Sequence, residues 1–126
     1  MIRYLIDANA AVYAMDEGHE VLTTRIADCA PGEIAISVIS YAEVAYDAYV
    51  GKPPPPEILE AFIEAIPLVS FDEAAARVYA QLPFKRARFD RLLAAHALSI
   101  GATVITNNEA DFADVPGLKV ENWTLP

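Results

Sequence analysis

Ile2-Arg3-Tyr4-Leu5-Ile6-Asp7-Ala8-Asn9-Ala10-Ala11-Val12-Tyr13-Ala14-Met15 turns from strand to helix at a single acid. Ile2 to Ile6 is a short, mostly apolar, β-prone run, and Ala8 to Met15 reads as a helix. The alternation continues outward from that stretch. Glu20 to Ala30 has helical character and is stopped by Pro31-Gly32. Glu33 to Ile36 is a second short strand, after which Ser37 or Ser40 caps a helix running to about Val50. Pro53 to Pro56 is a rigid connector inside the domain, ahead of a helix over Glu57 to Ala65. Pro67 to Phe71 is a third strand. Asp72 caps the next helix, which carries apolar Ala75, Ala76, Val78, Tyr79 and Leu82 before Pro83 breaks it. Asp90 to Ile100 is strongly helical and closes on Gly101. Thr103 to Ile105 and Lys119 to Asn122 supply a fourth and a fifth strand. Strands alternating with helices imply parallel pairing through right-handed crossovers. The expected fold is therefore α/β: a three-layer α/β/α sandwich with a mostly parallel central sheet, a single domain over residues 1–126.

Composition narrows the function classes. The chain has 126 residues, of which 55% are hydrophobic, enough for one well-packed domain and too few for two. The opening apolar run is too short for a signal peptide. No segment approaches the ~18 uninterrupted apolar residues of a membrane span. The lone Cys29 excludes an internal disulfide and reads as a small, buried apolar residue. These features point to the cytosol, with no membrane partner. The formal net charge of −9 argues against nucleic-acid binding at first sight. Its distribution does not: residues 1–63 hold three Lys/Arg against ten Asp/Glu, and residues 64–126 hold six against eight. Four of the cations fall in Lys85-Arg86-Ala87-Arg88-Phe89-Asp90-Arg91. An acidic body with one basic loop also suits a protein neutralised by a basic partner.

Ligands in open α/β sheets bind beyond the carboxyl ends of the strands. Asp7 directly follows strand one, Glu43 lies about two turns beyond strand two, and Asp90 opens a helix. Past strand four comes Thr106-Asn107-Asn108-Glu109-Ala110-Asp111. Carboxylates gathered there repel one another unless a cation holds them. Hard oxygen ligands of this type suit Mg²⁺ or Mn²⁺, and such an ion activates water for attack on a phosphodiester. Each acid also has a plainer reading. Asp7 and Asp90 are both residue types favoured at helix starts. Glu43 is harder to explain structurally, because its neighbours in Val38-Ile39-Ser40-Tyr41-Ala42-Glu43-Val44-Ala45 are nearly all apolar. His96 lies about 1.7 turns beyond Asp90, on roughly the opposite side of its helix, and reads as a packed or hydrogen-bonded histidine. His19 reads as a loop residue. No serine lies in a nucleophile-elbow setting, and no phosphate-binding glycine loop is present.

At this point the chain resembles a known family. Tyr4-Leu5-Ile6-Asp7-Ala8-Asn9 looks like the opening motif of PIN domains, and Ile36-Ser37-Val38-Ile39-Ser40-Tyr41-Ala42-Glu43-Val44 is similar to their second motif. Phe89-Asp90-Arg91-Leu92-Leu93-Ala94-Ala95-His96-Ala97-Leu98 resembles the third, and Val104-Ile105-Thr106-Asn107-Asn108-Glu109-Ala110-Asp111-Phe112 the fourth. The ending Val115-Pro116-Gly117-Leu118-Lys119-Val120-Glu121-Asn122-Trp123 resembles the VapC-type toxin subgroup. The resemblance implies an endoribonuclease toxin with Asp7, Glu43 and Asp90 as its catalytic, Mg²⁺-ligating core. Asn108 or Asp111 would complete the metal shell. Lys85, Arg86, Arg88 and Arg91 would hold the RNA substrate, unless Arg88 or Arg91 pairs structurally with Asp90. The resemblance further implies a cognate antitoxin over the cleft, a homodimer, and higher assemblies that reach operator DNA only through the antitoxin. Two departures matter. Ala8 stands where the family often has a hydroxyl, and Asn108 where many members have a fourth acid. They keep open a non-catalytic PIN-like module that binds RNA or a protein. A phosphatase with Asp7 as nucleophile would want a second Asp at position 9, where this chain has Asn9.

Overall fold

A computed structural model describes residues 1–83 and 89–126. Five parallel strands form one sheet in the order β3-β2-β1-β4-β5: β1 (Tyr4–Ile6), β2 (Ile34–Ser37), β3 (Leu68–Val69), β4 (Thr103–Ile105) and β5 (Val120–Glu121). The central strands carry apolar side chains on both faces, as a sheet covered on two sides requires. Leu5, Ala35 and Val104 point to one face and pack against Leu93, Ala94 and Ala97 of α6 (Phe89–Ile100). Ile6, Ile34, Ile36 and Ile105 point to the other, against Ala10 and Ala11 of α1 (Ala8–Met15) and Leu22 of α2 (Glu20–Ala27). A third cluster of Ala8, Val44 and Leu59 ties α1 to α3 (Val38–Tyr49) and α4 (Pro56–Ala65). Helix α5 (Glu73–Gln81) packs on α6. The three-layer sandwich expected from the alternation is the architecture found.

The helix starts explain themselves locally. Asp7 accepts from the Ala10 N–H at 2.8 Å, and Asp72 from the Ala75 N–H at 3.0 Å, each satisfying a donor that the first turn leaves free. Of the two serines ahead of α3, Ser37 is the cap, accepting from the Ile39 N–H at 3.0 Å. At the far end of α6, Gly101 adopts φ 68°, the left-handed turn by which the chain reverses into β4.

Several boundaries differ from the sequence expectation. The first, third and fifth strands are each shorter than the segment expected from the sequence. β3 pairs on one side alone, with β2, and an edge strand has fewer ladder bonds to extend it. Helix α2 ends at Ala27 instead of Ala30, where the chain tightens through a Cys29 N–H to Ile26 carbonyl bond of 3.1 Å. Cys29 is only partly buried, at the rim of the core, not within it. His19 immediately precedes α2 and stacks on Tyr13 at 4.6 Å between ring centroids. Among the described residues, no helix is long and apolar enough to cross a membrane.

Candidate active site

The strand order reverses between β1 and β4: the chain moves outward from β1 through β2 to β3, then returns to β4 on the other side. Such a switch point opens a crevice at the carboxyl ends of the two strands. Asp7 follows β1 and Thr106 follows β4, and the Asp7 N–H bonds the Ile105 carbonyl at 2.9 Å, so the two residues lie side by side. The walls come from helices. α3 contributes Ser40 and Glu43, whose helical spacing sets them on one face, and α6 contributes Phe89, Asp90 and Leu93. The 3₁₀ turn Glu109–Phe112, with the residue before it, contributes Asn108 and Asp111. Asp7, Ala8, Asn9, Ser40, Glu43, Phe89, Asp90, Leu93, Asn108 and Asp111 together line one cleft of about 40 Å³, the scale of a small ion with water and not of a buried organic ligand.

Five of the sequence candidates, Asp7, Glu43, Asp90, Asn108 and Asp111, are thus brought together from four separate segments. Their charges act on one another. Burial raises the proton affinity of Asp7 above the ordinary carboxylate range, and the neighbouring Asp90 and Asp111 charges push the same way. The Thr106 hydroxyl and the Ala10 N–H pull it back by bonding the ionised form. Glu43 is displaced further, to about 7, first by loss of solvent and then by Asp90, Asp7 and Asp47. No lysine, arginine or histidine is among the described residues lining the cleft. Among the described residues, no three His, Cys, Asp or Glu side chains are drawn tightly enough together to hold an ion as they stand. Carboxylates that face one another repel, and a bound cation would offset their charge. The donor set is all hard oxygen, which fits Mg²⁺ or Mn²⁺ and not a soft metal.

Thr106 is not among the sequence candidates. It is 1% exposed, its oxygen accepts from the Asn108 N–H at 3.0 Å, and its hydroxyl bonds Asp7. It therefore supplies, from the end of β4, the supporting hydroxyl that Ala8 lacks. Asn108 donates its side-chain NH₂ to Asp111 at 2.9 Å, which leaves its carbonyl oxygen as the group available to a cation. Arg91 is set beside the cleft with its side chain 15% exposed and paired to Asp114, with Asp90 adding to the field on it. Its guanidinium is engaged with protein acids, so it differs from an arginine held out to phosphates. Lys85, Arg86 and Arg88 lie outside the described residues. His96 is buried, as expected, with Nδ1 at 2.7 Å from the Ser37 Oγ and its ring edge-on to Phe71. Burial lowers its basicity, and because Ser37 already accepts the Ile39 N–H, its hydroxyl proton is free to donate to a neutral ring.

A parallel sheet with a carboxylate cleft at its switch point is the arrangement of a PIN domain, and the chain belongs to that family: the PIN domain model matches residues 4–118. The relatives are more specific. The chain is 28% identical to the tRNA(fMet)-specific endonuclease VapC of Shigella flexneri, over 98% of this chain and 100% of that protein. It is likewise 28% identical to ribonuclease VapC2 of Rickettsia felis, over 95% and 97% of the two chains. Among solved structures, it superposes on DNA-bound VapBC of Salmonella typhimurium with a TM-score of 0.84 at 27% identity. That match covers 98% of this chain and 99% of the other. VapBC2 of Rickettsia felis, bound to a DNA fragment from its promoter, gives 0.83 at 27% identity with the same coverage.

Proposed function

We propose that this chain is a Mg²⁺-dependent endoribonuclease, the toxin of a toxin–antitoxin pair acting in the cytosol, with Asp7, Glu43 and Asp90 as its catalytic core. The observation that carries the reading is the convergence of these three acids with Asn108 and Asp111 on one small cleft free of described cations. The likeness to VapC ribonucleases over nearly the whole chain supports the substrate class.

Asp7, Glu43 and Asp90 would hold the cation, with Asp111 and the carbonyl oxygen of Asn108 beside them. When bound, the cation supplies Lewis-acid charge at the phosphodiester and lowers the pKa of a coordinated water. The chain's own contribution is positioning. Thr106 and the Ala10 N–H fix the Asp7 carboxylate at the strand end. The Ser37–His96 bond pins the start of α3, which carries Glu43, against α6, which carries Asp90. Glu43, with a proton affinity near neutrality, is placed to accept a proton in the cleft or to ligate once that proton has left. Arg91 holds the Asp114 side of the site, and the Lys85, Arg86 and Arg88 run would contact RNA phosphates. A cognate antitoxin would cover the cleft and set a basic side chain among its acids. The likeness to VapBC complexes on DNA supports that partner and an assembly that reaches promoter DNA. In that assembly the toxin would be a homodimer and the antitoxin would make the DNA contact.

The test is cleavage of RNA by the purified chain with Mg²⁺, without metal, and with Mg²⁺ plus chelator. Cleavage confined to the first condition is expected. RNA binding with no cleavage under any divalent cation would instead favour the non-catalytic module.

A further inference from the structure

Beside the proposed nuclease cleft lies a second, mostly apolar cavity of about 460 Å³, lined by Ala42, Glu43, Tyr46, Asp47 and Phe89. It shares Glu43 and Phe89 with the cleft. Helical spacing builds its walls. Ala42 and Tyr46, like Glu43 and Asp47, are four residues apart on α3, so an apolar and an acidic ridge run next to each other. The short Ala42 side chain leaves the slot open, and Phe89 at the start of α6 supplies the other wall. Tyr46 is 65% and Phe89 51% exposed, and among the described residues neither ring has an aromatic partner.

We propose that this cavity is a base-binding subsite, taking an unpaired guanine of the RNA next to the scissile phosphodiester between Tyr46 and Phe89, with Asp47 reading its edge. The inference rests on the nuclease reading and deepens it by naming a substrate feature. Sequence-specific RNA recognition works on unstacked single-stranded bases, which lie on aromatic side chains and are hydrogen-bonded along their edges. Stacking itself tolerates any base, so a preference comes from the polar groups at the rim. Here the rim offers carboxylates, which are acceptors alone when ionised. They disfavour a phosphate in the slot and favour a base edge rich in N–H donors. Guanine offers two adjacent donors, N1–H and the 2-amino group, matching the two oxygens of one carboxylate; uracil offers one. Glu43 is assigned to the cation, which leaves Asp47, one helical turn farther from the cleft, for the base. Continuity through Glu43 and Phe89 makes the occupant part of the same strand that crosses the cleft.

The experiment measures binding, so that it does not depend on cleavage. Fluorescence anisotropy reports the affinity of short single-stranded RNAs, all-uridine apart from one central guanosine, inosine, adenosine or uridine. The protein is the full chain in an Asp7→Asn background, which retains the helix cap but not the full carboxylate set. Tighter binding of the guanosine RNA by about tenfold is expected, with much of the gain lost for inosine, which lacks the 2-amino group. Tyr46→Ala and Phe89→Ala should each weaken binding of that RNA by about tenfold. Asp47→Asn should flatten the base preference while leaving the all-uridine affinity in place. Both rings are exposed, so melting temperatures near the parent's are expected and confirm folding. Equal affinity for all bases, or ring variants that bind every RNA as the parent does, would overturn the subsite. So would ring variants that leave RNA binding intact but change the oligomeric state or lose a bound partner protein, since the face would then be a protein contact. A wild-type chain that fails to cut RNA while the guanosine selectivity holds would sink the nuclease reading and leave the subsite standing.

Discussion

The two edges of the central sheet carry acids in opposite states. At the edge where the strands begin, Glu33 accepts from the Ala30 N–H at 3.1 Å and from the Arg3 guanidinium at 2.9 Å, which holds its carboxyl below the usual range. Arg3 also lies over the Tyr4 ring, 5.2 Å from its centroid. At the edge where the strands end, Asp7 and Glu43 are half-buried or deeper, face other acids, and are raised. One acid is complete within the chain, and the others are arranged for something the chain does not supply. Titratable groups displaced by burial and like charge in a cleft mark functional sites more often than paired ones do. Breaking each edge in turn should therefore have very different consequences.

Asp90→Asn is the largest expected break. Asn is nearly isosteric and serves a helix start as well as Asp does, so the variant should fold and melt within a few degrees of the parent. It offers one good acceptor oxygen and no charge, a poorer ligand for Mg²⁺. RNA cleavage should fall by more than about a hundredfold, the upper end for changes one shell removed from a metal. Calorimetric titration should show weaker Mg²⁺ binding, and growth inhibition on expression should be lost. A variant that cuts at the parental rate would remove Asp90 from the site.

Glu43 sharpens the same contrast through pH. Its folded-state pKa of about 7 lies above the ordinary value of 4.5, so the folded chain binds more protons than the unfolded one between those limits. Stability of the metal-free protein must then fall as pH rises from about 4.5 to about 7. The carboxyl is half-exposed and partly screened, so the loss from this group is about 1 kcal/mol, a drop of ~2–8 °C in Tm. Mg²⁺ should oppose that fall, because it binds the ionised form and stabilises the folded state by mass action. Glu43→Gln should remove this group's contribution. Scanning calorimetry at a series of pH values, with and without Mg²⁺, checks all three statements. A metal-free Tm that rises across this window in the parent but not in Glu43→Gln would contradict the assignment.

Much of this contrast is legible in the amino-acid sequence. The alternation of apolar runs with capped helices carries the fold, because strand and helix periods differ and Asp7, Asp72 and Gly101 mark where one gives way to the other. Asp7, Glu43 and Asp90 stand out for the same reason: each is an acid at a point where an element begins or the surroundings are apolar. What stays hidden depends on register and docking. Thr106 supports Asp7 because β4 pairs with β1 so that Ile6 lies opposite Ile105, and no local pattern states that pairing. The Ser37–His96 bond spans 59 positions and the Arg91–Asp114 pair 23, so sequence spacing gives no hint of either. The slot between Tyr46 and Phe89 needs the packing of α3 beside α6, which apolar periodicity leaves undetermined.

The hidden hydroxyl yields the next test down in size. Thr106→Val keeps the shape of a buried, β-branched residue and deletes the donor to Asp7 and the acceptor for the Asn108 N–H. Asp7 should become harder to ionise, and the Asn108 turn should lose an anchor. A fall in cleavage of about tenfold is expected, recovered in part by more Mg²⁺ or higher pH, because both favour the ionised carboxylate. Thr106→Ser should restore activity, since the hydroxyl is what matters. A Val variant with the parental Mg²⁺ dependence would assign Thr106 to packing alone.

The smallest effect is expected at the other edge, and it completes the comparison. Arg3→Ala breaks the pair with Glu33, but the Arg3 side chain is largely in water, where an ion pair gains little over its separate hydrated partners. Glu33 keeps its bond from the Ala30 N–H, so its carboxylate is still satisfied after the arginine has gone. The Arg3 main chain separately bonds the Glu33 carbonyl and the Thr103 N–H across the sheet, so strand pairing survives the substitution. Melting temperature, Mg²⁺ affinity and RNA cleavage should all match the parent within error, and raising the salt should not separate the two proteins. A marked loss of cleavage would mean that the starting edge of the sheet feels the state of the cleft across the length of β1, and the two edges would no longer count as independent.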